Sequence, residues 1–176
     1  MEIYKKKRSV DYIIYSAIIV VGVILDQLTK WLAVKFLEPI DTCPLIKNVL
    51  HLTYVENEGA AFGMMKDSRW IFMTVSVIAI AIFTAYLYLG HAENMLYAVS
   101  LSMVISGGIG NMIDRIALGY VVDFIDFRLI NFAVFNGADS FVCVGAGLLI
   151  LALLLDLVKE AKAEKAKKAE NAEEEK

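Results

Sequence analysis

Four apolar stretches decide what this chain can become. A helix needs about 20 mostly apolar residues to cross the hydrocarbon layer of a bilayer. Residues 12–36, 70–89, 95–113 and 134–155 each supply such a run. The second and third carry no charge, the first is interrupted by Asp26-Gln27-Leu28-Thr29-Lys30, and the fourth holds Asp139 near its start. Composition agrees: 59% of the 176 residues are hydrophobic and the mean hydropathy is +0.61, values that belong to an integral membrane protein. A net charge of −3 is too small to point to a nucleic-acid partner.

The expected fold is therefore mainly α, with four transmembrane helices. Residues 1–158 form the membrane domain. Residues 159–176 are almost entirely Ala, Lys and Glu, and make a charged tail that either extends the fourth helix or ends as a frayed, solvated segment. Lys5-Lys6-Lys7-Arg8 before an apolar run superficially fits a cleaved signal peptide. No small-residue cleavage site follows, however, and the helical pattern continues to Phe36, so a retained first helix is expected.

Four spans put both termini on one side, and basic residues near helix ends mark the cytoplasm. Lys5, Lys6, Lys7, Arg8, Lys159, Lys162, Lys165, Lys167 and Lys168 lie toward the termini, against Lys47, Lys66, Arg69, Arg115 and Arg128 in the other connections. Nine against five places the termini inside. Helices one and three then run outward, and helix four inward. Asp26, Lys30, Asn111, Asp114, Arg115, Asn136 and Asp139 should accordingly gather near the outer face, although they come from three different helices.

The first outer connection, residues 37–69, is too long for a simple turn. Residues 49–55 are rich in β-formers with partial alternation and read as a strand. They lead into Asn57-Glu58-Gly59-Ala60-Ala61-Phe62-Gly63, whose glycines permit backbone shapes that other residues resist. A small β element on the outer surface is expected. The second outer connection, residues 116–135, is apolar with spaced charges (Asp123, Asp126, Arg128), and should lie in the interface, partly as strand or short helix.

Charge at membrane depth is expensive and seldom idle. Asp26 and Lys30 are four apart, share a helix face and can pair. The pair softens the cost of two membrane charges, and it can also shape a site with Asp114 or Arg115 in reach. Ser102, Ser106 and Gly110 recur every four residues and read as close helix packing. Asn136 and Asp139 are three apart and face the same way. Asp139 alone could be a charge favoured by a helix N-terminus, and Asp123 alone an ordinary interfacial carboxylate. Together, two acids flanked by apolar residues and accompanied by Asn and Arg donors suggest water activation. Two neighbouring carboxyls share a proton; the ionised one takes a proton from water and the other donates to the carbonyl oxygen. Amide and guanidinium donors favour the oxyanion.

Other chemistries find less support. His51 and His91 are isolated, expected at the surface or interface, and no metal-ligand cluster accompanies them; no cofactor is expected. Cys43 falls in a loop and Cys143 in an apolar run, so pairing is not expected. There is no Gly-x-Ser-x-Gly elbow, and Ser140 has no histidine near it in sequence.

The ordered set of motifs resembles the bacterial lipoprotein signal peptidase (signal peptidase II) family. It comprises Asp26 to Lys30, Asn57 to Gly63, Gly107-Gly108-Ile109-Gly110-Asn111-Met112-Ile113-Asp114-Arg115, Val121-Val122-Asp123-Phe124 and Phe135-Asn136-Gly137-Ala138-Asp139-Ser140. Presenilin-type proteases fit less well, because Gly137-Ala138-Asp139 does not meet their Gly-x-Gly-Asp pattern. The resemblance implies an inner-membrane aspartyl endopeptidase that cleaves prolipoproteins before a diacylglyceryl-modified cysteine. It makes Asp123 and Asp139 the catalytic dyad, has Asn57, Gly59, Asn111, Arg115 and Asn136 line or order the substrate site, and has Asp26 and Lys30 support it. It further implies an extracytoplasmic β-cradle, a short interfacial helix and inhibition by the cyclic peptide globomycin. Two other classes fit less well. A proton or ion relay through Asp26, Lys30, Asp123 and Asp139 would need a polar path through the inner halves of the helices, which are apolar; a structural subunit would not need so many polar motifs.

Overall fold

The computed structural model describes residues 2–59, 69–90, 92 and 94–174. His91, Lys66 and the part of the glycine-containing loop from Ala60 to Gly63 lie outside the described residues. The element order is α1 (Glu2–Phe36), β1 (Thr42–Ile46), β2 (Leu50–Asn57), α2 (Arg69–Tyr88), α3 (Met95–Ala117), β3 (Val121–Asp126), a single 3-10 turn (Arg128–Ile130) and α4 (Gly137–Glu174).

Three of the helices are long and apolar enough to cross a membrane, and α2 contributes a shorter apolar stretch, Met73–Tyr88. At about 1.5 Å per residue, the 20 residues of α2 reach about 30 Å. The outer faces of α1, α2 and α4 expose large apolar side chains such as Val20, Ile24, Val75, Ile82, Leu154 and Leu157. In water such surface would be unfavourable; against lipid tails it costs nothing. α3 is the central helix, with more than half of its apolar window buried.

The small residues of α3 explain how it sits so close to its neighbours. Ser106 Oγ donates to the Ile19 carbonyl of α1 at 3.1 Å. A methyl group at Gly107 would run into the Ala138 carbonyl of α4, and one at Gly110 into the Asp26 carboxylate. At these two positions only hydrogen fits. The expected packing role of the four-residue repeat thus holds, and Gly110 also leaves space for a charge.

The three strands form one antiparallel sheet in the order β1-β2-β3. β2 pairs with β3 so that Val55 lies opposite Asp123 and Asn57 opposite Val121. The sheet packs on the end of α1, where Ala33, Leu37 and Val122 form a buried cluster with Leu52, Tyr54 and Phe124 against it. A second cluster of Tyr15, Leu87, Ala98 and Ile105 ties together α1, α2 and α3. Because the sheet rests on the C-terminal end of α1, it delivers β3 to the polar part of that helix.

Several boundaries differ from expectation, each for a physical reason. α4 starts at Gly137 rather than at residue 134, because Phe135 is held extended in a bridge to Ile125. It runs on through the charged tail to Glu174, since Ala, Lys and Glu are strong helix formers and pairs such as Lys168–Glu164 at 2.6 Å add to it. Cys43 is not in a loop but in β1, opposite Leu52, and both cysteines are free. His51 is not superficial. It sits on the middle strand, buried, and its Nε2 accepts from the Asn48 backbone N–H at 3.3 Å. The interfacial element after β3 is only one 3-10 turn, where Arg128 Nε donates to Asp126 Oδ2 at 2.8 Å and Arg128 reaches Thr42 and Thr53.

Candidate active site

Asp123 and Asp139 come from different elements and meet at one asparagine. Asp123 lies in the buried first half of β3 and is 1% exposed. Its Oδ2 accepts from Asn57 Nδ2 at 2.9 Å and its Oδ1 from Asn136 Nδ2 at 2.6 Å. Asp139 lies in the first turn of α4. Its backbone N–H donates to Asn136 Oδ1 at 2.9 Å, while its Oδ2 accepts from the Asn136 N–H at 3.2 Å. This reciprocal pair is a capping box, with Asn136 as the N-cap and Asp139 in the third helical position. The cap therefore fixes the carboxylate as well as the helix.

Asn111 closes the ring from α3. Its Nδ2 donates to Asp139 Oδ1 at 2.7 Å, and its Oδ1 accepts from Asn136 Nδ2 at 3.0 Å and from Lys30 Nζ at 2.9 Å. Lys30 also meets Asp26 at 2.9 Å and Asp114 at 3.0 Å, using all three of its protons. Lys30, Asp26 and Asp114 are respectively 3%, 1% and 4% exposed. Among the described residues no buried side-chain nitrogen or oxygen lacks a partner. A polar cluster at this depth persists only when it is fully satisfied.

The two carboxylates open on one cavity of about 530 Å³. Asn57, Gly59, Asn111 and Arg115 form its polar part, and Phe132, Val134, Phe135 and Val144 its apolar wall. Gly59 is tied down by its N–H, which donates to Asn57 Oδ1 at 3.1 Å. Arg115 extends from the last turn of α3, where Asp139, Asp123 and Asp114 act on it electrostatically. It makes no direct hydrogen bond or ion pair among the described residues. Its guanidinium borders the cavity. Ser140 Oγ donates back to the Asn136 carbonyl at 3.0 Å, as a hydroxyl on a helix commonly does.

Burial, opposed by the Asn57 hydrogen bond and reinforced by the Asp139 charge, leaves the Asp123 carboxyl pushed up to about 7. A carboxyl with that affinity can hold a proton near neutrality, next to a second carboxyl across the same cavity. Such a pair can take one proton and give another without a metal or covalent nucleophile.

All nine residues singled out in the sequence thus lie in one region. Asp123, Asp139, Asn57, Gly59, Asn111 and Arg115 face the cavity, whereas Asn136, Asp26 and Lys30 stand behind it. Two further members were not singled out as site residues. Asp114 holds Lys30 and accepts from the Val122 N–H at 3.1 Å, and Gln27 Nε2 donates to Asp114 Oδ1 at 2.9 Å. Gln27 and Asp114 are 87 residues apart. For Asp114 the sequence offers its place one turn after Asn111 and its reach to the Asp26–Lys30 pair; for Gln27 it offers only adjacency to Asp26.

Comparison with known proteins converges. Residues 18–155 match the family described as signal peptidase (SPase) II. The lipoprotein signal peptidase of Caldanaerobacter subterraneus subsp. tengcongensis is 52% identical over 141 residues, covering 79% of this chain and 94% of that protein. That of Clostridioides difficile is 43% identical over 141 residues, covering 80% and 95%. A solved structure described as a bacterial membrane enzyme at 2.3 Å resolution superposes with a TM-score of 0.75 at 33% identity, covering 81% of this chain and 88% of that one. A second, at 1.9 Å, gives 0.72 at 34% identity, covering 80% and 92%.

Proposed function

Because this chain belongs to the signal peptidase II family, we propose that it is an intramembrane aspartyl endopeptidase. It removes the signal peptide from diacylglyceryl-modified prolipoproteins by cutting just before the lipidated cysteine. The observation that carries this reading is the meeting of Asp123 and Asp139 on one cavity wall, cross-linked by Asn136. Asp123, the more deeply buried, holds the shared proton and gives it to the scissile carbonyl oxygen. Asp139 takes a proton from the attacking water. Asn57, Gly59, Asn111 and Arg115 bind the peptide backbone and favour the oxyanion, while Asn136, Asp26 and Lys30 order the site behind them. The apolar wall suits a substrate whose acyl chains stay in the bilayer. The excess of basic residues toward the termini supports both termini in the cytoplasm of a bacterial inner membrane, with the dyad near the outer face.

The direct test is cleavage of one lipobox peptide by the purified chain, with and without diacylglycerol on its cysteine. Cleavage before the cysteine in the lipidated peptide alone is expected. Equal cleavage of both forms, or cleavage elsewhere, would overturn the substrate assignment.

Two further results are expected in that assay. Rising pH removes the proton from Asp123, so kcat should fall as pH passes about 7. A profile still rising between pH 7 and 9 would contradict the acid role of Asp123. Arg115→Ala should raise KM about tenfold and weaken globomycin binding with helicity unchanged, because a charge-assisted hydrogen bond contributes about 1.5–3 kcal/mol. Unchanged affinity and turnover would remove Arg115 from the substrate site.

A further inference from the structure

The peptide N–H immediately before each aspartate of the dyad is fastened to a buried carboxylate. The Ala138 N–H, preceding Asp139, donates to Asp26 Oδ1 at 2.8 Å. The Val122 N–H, preceding Asp123, donates to Asp114 Oδ2 at 3.1 Å. Neither acceptor lies on the element it holds: Asp26 is on α1 and Asp114 on α3. The two carboxylates are then joined to each other twice. Lys30 Nζ lies 2.9 Å from Asp26 and 3.0 Å from Asp114, and Gln27 Nε2 lies 3.3 Å from Asp26 Oδ2 and 2.9 Å from Asp114 Oδ1.

We propose that Asp26 and Asp114, coupled through Lys30 and Gln27, form a brace that sets the separation of the two catalytic aspartates. They are positioning residues that act on the reaction through the Ala138 and Val122 N–H groups, while the Lys30 they hold also fixes Asn111 beside Asp139. The proposal rests on the assignment of Asp123 and Asp139 as the dyad.

The need for such a device follows from topology. Asp123 sits on a strand and Asp139 on a helix, joined by the connection 127–136, whose end is fastened by the Phe135–Ile125 bridge and by Asn136. These contacts tie the two aspartates chiefly to each other, whereas the brace anchors both of their backbones to α1 and α3. A misplacement of about 1 Å at reacting groups can lower a rate about 100-fold. The brace grips each aspartate through a main-chain N–H, so it fixes the backbone that carries the carboxylate without occupying the carboxylate itself. Stability alone does not explain the cluster. A buried trio of charges is commonly no more stabilising than apolar residues of the same volume, and here it lies among residues that could have supplied them.

The brace makes a prediction that a purely structural cluster does not. The purified full chain is assayed on the lipidated peptide as Asp26→Ala, Asp114→Ala, Asp26→Asn and Asp114→Asn, with kcat, KM and Tm measured for each. Both Ala variants should lose kcat about 100-fold while KM moves less than about threefold, because the cavity wall is untouched. The Asn variants keep a carbonyl oxygen for the N–H and should recover about tenfold of that loss. Gln27→Leu, a milder cut that keeps the ion pairs, serves if an Ala variant does not fold; its kcat should fall about tenfold at constant KM. Folded Ala variants or Gln27→Leu with wild-type kcat and only a lower Tm would overturn the brace. Equal losses in Ala and Asn variants would do so too, by assigning the effect to charge instead of the N–H acceptor. Asp123→Asn in the same assay separates the two claims. Its inactivity beside a fully active Asp114→Ala would remove the brace alone, whereas an active Asp123→Asn would remove the dyad beneath it.

Discussion

Asp123→Asn and Asp139→Asn should each lower kcat on the lipidated peptide by about 10³-fold or more at normal yield of folded protein. Proton transfer by a positioned side chain contributes about 10²–10⁴-fold, and both halves of the transfer fail when either carboxyl becomes an amide. The two variants differ in what else they disturb. Asp123 accepts from Asn57 Nδ2 and Asn136 Nδ2, so an Asn at this position must turn an amide NH₂ toward one of these donors. A moderate loss of Tm is expected there. At position 139, an Asn can still accept from the Asn136 N–H with its carbonyl, but its NH₂ then meets Asn111 Nδ2, which is held in place because Asn111 Oδ1 accepts from Lys30 and Asn136. A moderate loss of Tm is expected there too. Wild-type-like turnover in either variant would sink the dyad assignment.

The second large effect belongs to Asn136, which has no place in a proton-transfer scheme but bonds to Asp123, Asp139 and Asn111 alike. Asn136→Ala removes the N-cap of α4, a loss of about 1 kcal/mol. It also strips a donor from Asp123 and from Asn111, and a buried acceptor left short costs about 1–3 kcal/mol. A destabilisation of about 3 kcal/mol is therefore expected, read as a lower Tm, together with a fall in kcat of about 100-fold as the two carboxylates lose their shared partner. Asn136→Asp separates the two contributions. It keeps an acceptor for the Asp139 N–H, so the helix start survives, but it sets a third carboxylate against Asp123 and should stay inactive. If Asn136→Ala retained both Tm and kcat, the central position given to this residue would be wrong.

The legibility of this protein in its sequence divides along a physical line. Asp139 could be placed at a helix start because the apolar run that follows it is long and uniform, and such runs fix element type in a bilayer without reference to anything else. Asp123 was harder. Its surroundings, Val121-Val122-Asp123-Phe124, read equally as strand or interfacial helix, and only pairing with β2 made it a strand with an inward carboxylate. The same pairing put Asn57 beside it, 66 residues away in the chain. His51 and Cys43 depart from expectation for a related reason. A five-residue edge strand containing Pro44 has little local signal, so a sheet with a covered middle strand was not visible before its partners were in position.

What the sequence by itself determined was the helical membrane architecture and the list of polar residues that do not belong in it. Hydrophobic length sets spans, basic residues bias orientation, and the cost of burying charge marks which positions need a reason to exist. What only the tertiary structure decided was who holds whom. Lys30 reaching Asp114 and Asn111, Asn136 joining Asp123 to Asn111, and the Ala138 N–H held by Asp26 are all contacts between different elements. Hydrogen bonds are short and directional. They are settled by the final placement of elements to a fraction of an ångström, which periodicity, composition and charge do not encode.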